Sequence, residues 1–411
     1  MIRDAITHLF SSGGGGGGGV GGGEETLVVG QYWTVFLSRL GASSTEIGLI
    51  RSINSVVNAL LAAPMGFFTD RTQRKKRLYI IGKLLFLPIG LLRYLATSWP
   101  FCVFIGAFET ASMRLMGPSS QIILIDSLSA KDRVRGLSIN RTVMSIAGLI
   151  GPLICAAIIN AAGGLEAADN FRPLFLLSFV VGLVTTILVV TQMREVAFPV
   201  VGQQTNFVSH MISVFQEVPL LKLMLLRQCA MMFIMELGMT FQTIYMVDIK
   251  GADEFILAWR GTAQTALTVL VSLPLSALIE RYGRLRISYL GRVFGCLGLL
   301  LMIATPLTHP ELLIVAALCE GLRMLMFIGW MAFEQELVPL TARGRYGGIN
   351  MTVAAVAGIF APILGGFIWE INPDYLWWIR IGGEAFVVLP LMLLVGSRAK
   401  RMNPDSMQAL M

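Results

Sequence analysis

The chain has 411 residues, of which 55% are hydrophobic and only 14% charged, against about 25% charged in soluble domains, and it carries a net charge of +7. That balance excludes a soluble cytosolic enzyme and a disordered chain, and makes the chain an integral membrane protein. The positive charge is spread over short segments between apolar stretches rather than gathered on one face, so no nucleic-acid partner is expected.

In chain order, residues 13–23 hold ten glycines and Val20, followed by Glu24 and Glu25. Each glycine costs about 1 kcal/mol of helix stability relative to alanine, so the run reads as a flexible linker. It stands where a first span, ending between Val28 and Leu40, is expected; if it does span, Glu24, Glu25 and Gln31 reach the interior. The first twelve residues lack the apolar run of a signal peptide, and no cleavage is expected. Eleven further apolar stretches then follow, at 45–68, 78–98, 100–125, 136–162, 171–193, 222–247, 255–279, 287–306, 311–335, 346–369 and 376–396. Each is close to the roughly 20 residues that cross a hydrocarbon core of about 30 Å. The expectation is an all-α membrane protein of about twelve spans.

Basic residues cluster on alternate connections: Arg71, Arg74, Lys75, Lys76 and Arg77; Lys131, Arg133 and Arg135; Arg281, Arg284 and Arg286; Arg343 and Arg345; Arg398, Lys400 and Arg401. The opposite side has Arg39, Arg172 and Lys250. This bias places both termini in the cytoplasm and the chain in the cell membrane.

The chain repeats itself at an offset of 210 residues. Pro64, Asp70, Arg71 and Arg74 return as Pro274, Glu280, Arg281 and Arg284. Asp126, Arg133 and Arg135 return as Glu336, Arg343 and Arg345, and Gly148 and Pro152 return as Gly358 and Pro362. Two pseudo-symmetric six-helix halves are therefore expected, 1–193 and 222–411. They are joined by a linker, 194–221, in which Phe207, Val208, Met211, Ile212, Phe215 and Val218 have the spacing of a helix lying on the membrane surface. Cys102, Cys155, Cys229, Cys296 and Cys319 are odd in number and show no CxxC pair, so neither a disulfide framework nor a metal cluster is expected. No cofactor is expected either.

The segment Gly66-Phe-Phe-Thr-Asp70-Arg71-Thr-Gln-Arg74-Lys75-Lys76-Arg77-Leu78 resembles the loop motif between the second and third helices of major facilitator superfamily transporters. Its second copy, Leu278-Ile-Glu280-Arg281-Tyr-Gly283-Arg284-Leu-Arg286, is similar. So is the acid with an arginine seven residues on, Asp126 with Arg133 and Glu336 with Arg343. The resemblance implies two six-helix bundles around a central cavity working by alternating access, a monomer, and a small-molecule substrate. A carboxylate at a helix C-terminus opposes the helix dipole unless paired. Asp70, Asp126, Glu280 and Glu336 are thus expected to pair with Arg71, Arg74, Arg133, Arg281, Arg284 and Arg343, and by the resemblance these pairs latch the cytoplasmic helix ends. Departures from the family pattern are Gln73 and Ser276 in place of glycines. The fifth helix carries Gly148-Leu-Ile-Gly151-Pro152, similar to the start of an antiporter motif, but continues with Cys155-Ala156. The fourth carries Glu109 near where an arginine is usual.

A charge buried in the membrane costs about 2.5–3.5 kcal/mol or more on insertion scales, and so faces a cavity or a partner. The resemblance makes the first, fourth, seventh and tenth helices cavity-lining, which selects Gln31, Glu109, Arg114, Glu236, Glu320 and Arg323 as candidate substrate or proton groups, with Arg227 also on the seventh helix. Glu109 and Glu320 each sit about nine residues from the outer helix end, roughly 13 Å deep. Structural pairing or snorkelling is expected for Arg51, Lys83, Arg93, Arg141, Arg260 and Arg292, and a local pair for Arg380 with Glu384. The methionines Met231, Met232, Met235, Met239, Met324, Met326 and Met331 read as helix packing first, and as an adaptable binding surface second. His8, His210 and His309 fall at termini or connections. The reading is a proton-coupled secondary transporter of a small organic solute. Two alternatives stand beside it: a transport-inactive sensor, and a polytopic membrane enzyme, for which no metal- or phosphate-binding motif is present. A GxxxxGK[ST] loop is absent, which excludes an ATP-driven pump.

Overall fold

All eleven apolar stretches are helical in the computed structural model, which describes residues 30–72, 74–126, 133–192, 214–218, 220–339 and 342–402. The glycine run 13–23 with Glu24 and Glu25, and the linker positions Phe207, Val208, Met211 and Ile212, lie outside the described residues. In chain order the helices are α1 (Trp33–Arg39), α2 (Ser44–Arg71), α3 (Lys75–Phe86), α4 (Pro88–Leu95), α5 (Trp99–Asp126), α6 (Arg133–Ala162) and α7 (Arg172–Gln192). They continue with α8 (Leu221–Met239), α9 (Glu254–Tyr282), α10 (Arg284–Ala304), α11 (Leu312–Leu337), α12 (Arg343–Ile371), α13 (Pro373–Gly383) and α14 (Leu389–Met402). Of the linker, Val214–Glu217 forms a single helical turn, with Phe215 exposed and Val218 buried.

Eight of the described helical stretches are long and apolar enough to cross a membrane, and the bent pair Leu221–Met239 with Gln242–Ile249 makes up to nine. Helices α2 and α5 have 28 residues each, which at about 1.5 Å per residue exceeds the hydrocarbon thickness. Large apolar side chains remain exposed along the later spans, Leu270 and Leu273 of α9, Phe360 of α12 and Phe386 among them, as hydrocarbon solvent permits.

The breaks in the helices have local causes. Pro88 has no N–H to donate, so the helix ends at Phe86 and restarts with proline in its first turn. The seventh stretch bends by 40° after Met239 and ends in a π-turn, Tyr245–Ile249. Asn372 caps α13 by accepting from the Asp374 N–H at 2.8 Å, with Pro373 next in line. Gly283, at φ +94°, makes the one-residue corner between α9 and α10 that a residue with a Cβ rarely adopts; its repeat partner, Gln73, lies outside the described residues. Pro64, Pro152, Pro274 and Pro362 all stand inside helices, at matching places in the two repeats. Neighbouring helices make such prolines tolerable in a membrane.

The chain divides into two compact units. The first comprises Met1–Ser43, Ile53–Gln203 and Asp253–Ala258, and the second comprises Ser44–Ser52, Gln204–Ala252 and Trp259–Met411. Within the first, α3 packs along α5 and α4 along α7. Buried Tyr32, Phe36, Phe171 and Phe175 join α1 to α7 through ring contacts. Within the second, α8 packs along α12 and α10 along α11. Its core runs through Leu221, Met224, Trp330, Phe333, Val388, Met392 and Val395. Glycines set the closeness of approach: a Cβ on Gly365 would overlap the Leu237 carbonyl, and one on Gly366 would stand 2.7 Å from Thr45 Cα. Expected of Gly365→Val is therefore a loss of about 1–3 kcal/mol through overpacking, read as a lower thermal midpoint in detergent. Gly382→Ala, where nothing stands within 4 Å, leaves the midpoint unchanged or raises it.

Candidate functional site

In the first unit an embedded ion pair joins neighbouring helices. Glu109 on α5 accepts from Arg93 of α4 at 2.6 Å, and the Arg93 guanidinium lies 4.5 Å over the ring of Trp33. Arg93 is buried, so the carboxylate and the ring together replace its lost water. Arg114, one turn and a residue along α5 from Glu109, donates to Asn58 of α2. Gln31 stands before α1, and its Nε2 is buried without a partner. Nothing brings Gln31 into the Arg93–Glu109 pair among the described contacts.

In the second unit the charges form a series. Glu236 of α8 is held by Arg51, from the first turns of α2, through three contacts of 3.2–3.3 Å. Glu320 of α11 accepts from Arg260 of α9 at 2.6 Å and from the Gln242 side-chain amide at 2.8 Å. Glu384 opens the π-turn after α13 and accepts from Arg292 of α10 at 3.0 Å. Arg227 of α8, fully buried, donates to Glu334 of α11 at 2.7 Å and lies 4.8 Å over the Trp330 ring. Met231 sulfur accepts from both Arg227, at 3.3 Å, and Arg292, at 3.1 Å, so one methionine bridges two of the pairs. Glycines make the room: Arg323 lies across Gly295 and Glu320 across Gly298, where a Cβ would meet their stems.

The expected local pair of Arg380 with Glu384 is a correction. Although one helical turn apart, they share no hydrogen bond; Glu384 uses both oxygens on Arg292 Nη1, at 3.0 and 3.3 Å. A guanidinium presented from a facing helix reaches both oxygens, and the π-turn beginning at Glu384 takes that residue out of regular α geometry. Among the methionines, Met231 and Met326 are buried, while Met239, Met324 and Met331 are exposed. Of the histidines, His309 is described, and it pairs with Glu311 at 2.9 Å on the connection between α10 and α11. His8 and His210 lie outside the described residues.

At the opposite helix ends, Arg284 of α10 pairs with Glu336 of α11. Glu280 is exposed, and Arg281 lies 5.5 Å over the Tyr282 ring. Asp70, Arg71, Asp126, Arg133 and Arg343 belong to α2, α5, α6 and α12, but their side chains lie outside the described ones. Gly148, Pro152, Gly358 and Pro362 are buried in α6 and α12, and Gly151 is half-buried. The Pro362 carbonyl sits where a Cβ on Gly48 of α2 would be.

Sequence reasoning selected Glu109, Glu236 and Glu320 from their depth. It set aside Arg51, Arg93 and Arg260, which are the partners of these carboxylates, and passed over Gln242, Glu334 and the role of Glu384. Their signal was present as single polar residues in apolar stretches. Which helix each would meet was not, because the partners lie 16 to 185 residues apart in the chain.

The Major Facilitator Superfamily profile matches residues 18–251 and 223–409. An uncharacterised MFS-type transporter of Methanocaldococcus jannaschii is 21% identical over 374 residues, covering 88% of each chain. Multidrug resistance protein 2 of Bacillus subtilis is 21% identical over 361 residues, covering 83% of this chain and 84% of its own. Among solved structures, a peptide transporter, POT, bound to alafosfalin superimposes with a TM-score of 0.74 at 14% identity, covering 97% of this chain and 95% of its own. The nucleoside transporter NupG gives 0.71 at 12% identity, covering 96% and 98%. These likenesses show the fold.

The pairing itself is testable. Glu384→Gln leaves Arg292 buried with half of its partnership and should cost about 3–5 kcal/mol, read as a lower unfolding midpoint. Arg292→Met combined with Glu384→Leu removes both charges and should recover most of that loss.

Proposed function

Because the chain belongs to the major facilitator superfamily and is a secondary transporter rather than an enzyme, we propose that it carries a small organic solute across the cell membrane by alternating access, with protons as the coupling ion. The observation that supports proton coupling is that each of three membrane-embedded carboxylates, Glu109, Glu236 and Glu320, is held by one arginine from another helix. A proton arriving on such a carboxylate cancels the attraction and frees the guanidinium, which converts protonation into a change of helix contacts. Glu236 and Glu109 are the favoured carriers. The Glu236–Arg51 pair is the longer one, 3.2 Å, with side chains 15% and 46% exposed, so a proton reaches it without dismantling a packed core. The termini face the cytoplasm in this reading, and the protein works as a monomer.

The helix-end carboxylates act as a latch on the same cycle. The Arg284–Glu336 pair supports this, and its repeat equivalent is Arg74 with Asp126. Glu280 is exposed and its motif copy opens with Ser276 in place of glycine, so it is ranked below Asp70 in the latch.

Purified protein in proteoliposomes with an imposed pH gradient tests both parts. Changing Glu236 or Glu109 to Gln should abolish gradient-driven accumulation while substrate counterflow, which needs no net proton movement, survives. If Gln at all three positions leaves accumulation intact, the carboxylates are structural and coupling runs elsewhere. Asp70→Asn should slow turnover several-fold in a folded protein, and Glu280→Asn should slow it less. Unchanged flux in a well-folded Asp70→Asn protein removes the latch.

A further inference from the structure

The pairing series in the second unit leaves one buried cation over. Arg380 of α13 is 4% exposed, yet its Nε and Nη1 are buried with no hydrogen-bond partner. One turn earlier on the same helix the Trp377 indole N–H is also buried and unpartnered, and so is the hydroxyl of Thr240. Gly238, two residues before Thr240, lies against both side chains: a Cβ there would stand 3.0 Å from the indole and 3.5 Å from Arg380 Cδ. Buried donors in native proteins are nearly always satisfied, so the Arg380 guanidinium, with a second unmatched donor one turn away on its own helix, calls for acceptors.

Charge narrows what the acceptor is. The charged groups acting on Arg380 are Glu320, Arg323, Glu384 and Arg260. Glu320 is taken by Arg260 and Glu384 by Arg292. Arg323 makes no ion pair among the described residues. Four guanidiniums, Arg260, Arg292, Arg323 and Arg380, therefore share a membrane-embedded region with two carboxylates, Glu320 and Glu384. Water would satisfy the N–H groups but not the charge, a neutral ligand does no more, and a cation is repelled. A carboxylate or phosphate supplies both the negative charge and the paired oxygens that match the guanidinium fork.

The geometry points to a binding site in the second unit for a carboxylate or phosphate group, received by Arg380 with Trp377 and Arg323 beside it, which makes the solute an organic anion. The identity of the anion as cargo rests on the transporter reading; the existence of the site does not. A lipid headgroup offers the same chemistry as a dissolved solute.

The full-length protein is placed in nanodiscs of zwitterionic lipid, and thermal midpoint and calorimetric binding are read for benzoate, succinate and glycerol 3-phosphate, with tetraphenylphosphonium and uridine as cationic and neutral controls. A second set of nanodiscs contains phosphatidylglycerol. Expected is saturable stabilisation by at least one soluble anion and by neither control, weakened by about tenfold or more in Arg380→Gln, since a hydrogen-bonded charge is lost. Trp377→Phe, which keeps the ring and removes the N–H, should weaken it less. Stabilisation confined to phosphatidylglycerol nanodiscs and lost in Arg380→Gln assigns the same site to a headgroup. Arg380→Leu supplies a readout that does not depend on the ligand: in anion-free buffer it should be as stable as the parent or more so, because an uncompensated charge is gone. Failure of every anion to bind, equal binding of the cation, undiminished binding in a folded Arg380→Gln protein, or a destabilised Arg380→Leu protein overturns the inference. Because none of these readouts needs flux, anion binding without transport refutes the transporter reading alone, and transport of a cation without anion binding refutes this inference alone.

Discussion

A guanidinium cannot shed its proton in a hydrocarbon medium, so an arginine inside a membrane protein must be given a partner or be excluded. Much of the second unit is arranged around that requirement. Arg260, Arg292 and Arg227 each come from a different helix, and each meets a glutamate from another: Glu320, Glu384 and Glu334. Rings and sulfur fill the remaining faces, Trp330 under Arg227 and Phe327 under Arg292, with Met231 accepting from both. Such pairs add little net stability relative to apolar residues of the same size, since desolvation offsets the attraction. What they do is penalise any arrangement that separates the partners, and so they fix which helices face one another. In a solvent that gives no hydrophobic reward for helix association, that directional constraint matters more than it would in water.

The second requirement is space. Charged side chains with long stems fit between packed helices only where the neighbouring backbone carries no Cβ. Gly295 and Gly298, three residues apart on α10, are the positions over which Arg323 and Glu320 lie. Gly238 does the same for Trp377 and Arg380. Elsewhere glycines bring backbones together directly, as at Gly365 against Leu237 and Gly329 against the Arg284 carbonyl. Glycine in a membrane helix thus has two distinct uses here, close helix approach and lodging for ionised side chains.

The fold was legible because its signal is local. Eleven apolar stretches, the basic clusters between them and the repeat at 210 residues can each be read without knowing any contact. The depth of Glu109, Glu236 and Glu320 was legible for the same reason. The partners were not. Nothing in the neighbourhood of Arg260 says that it meets Glu320 rather than the headgroup region, and a one-turn spacing made Arg380 with Glu384 look like the natural pair. Either pairing leaves one arginine over; local spacing lost to the facing Arg292 because the π-turn beginning at Glu384 takes that residue out of regular α geometry. The same blindness hid the unpartnered state of Arg380, which exists only as the remainder after all other pairs are formed.

The internal repeat separates scaffold from chemistry. Residues at the helix ends keep their character at an offset of 210: Asp70 and Glu280, Arg74 and Arg284, Asp126 and Glu336, with Pro64, Pro152 and their counterparts inside the helices. Some membrane-embedded cations recur one residue out of that register: Arg51 and Arg260, Lys83 and Arg292, and Arg114 and Arg323 are each 209 residues apart. Their acidic partners do not recur: Glu320 stands opposite Thr110 and Glu384 opposite Leu174. Nor does Arg380, which stands opposite Asn170. In the other direction, Glu109 and Arg93 correspond to Cys319 and Ile303. Some cations thus come with the shared frame of helices, and each unit has supplied its own carboxylates. A pair inherited with the frame would recur in both halves; one that occurs in a single half is dispensable to the frame. The buried ion pairs thus distinguish the halves through their carboxylates, which choose the helix that each cation faces.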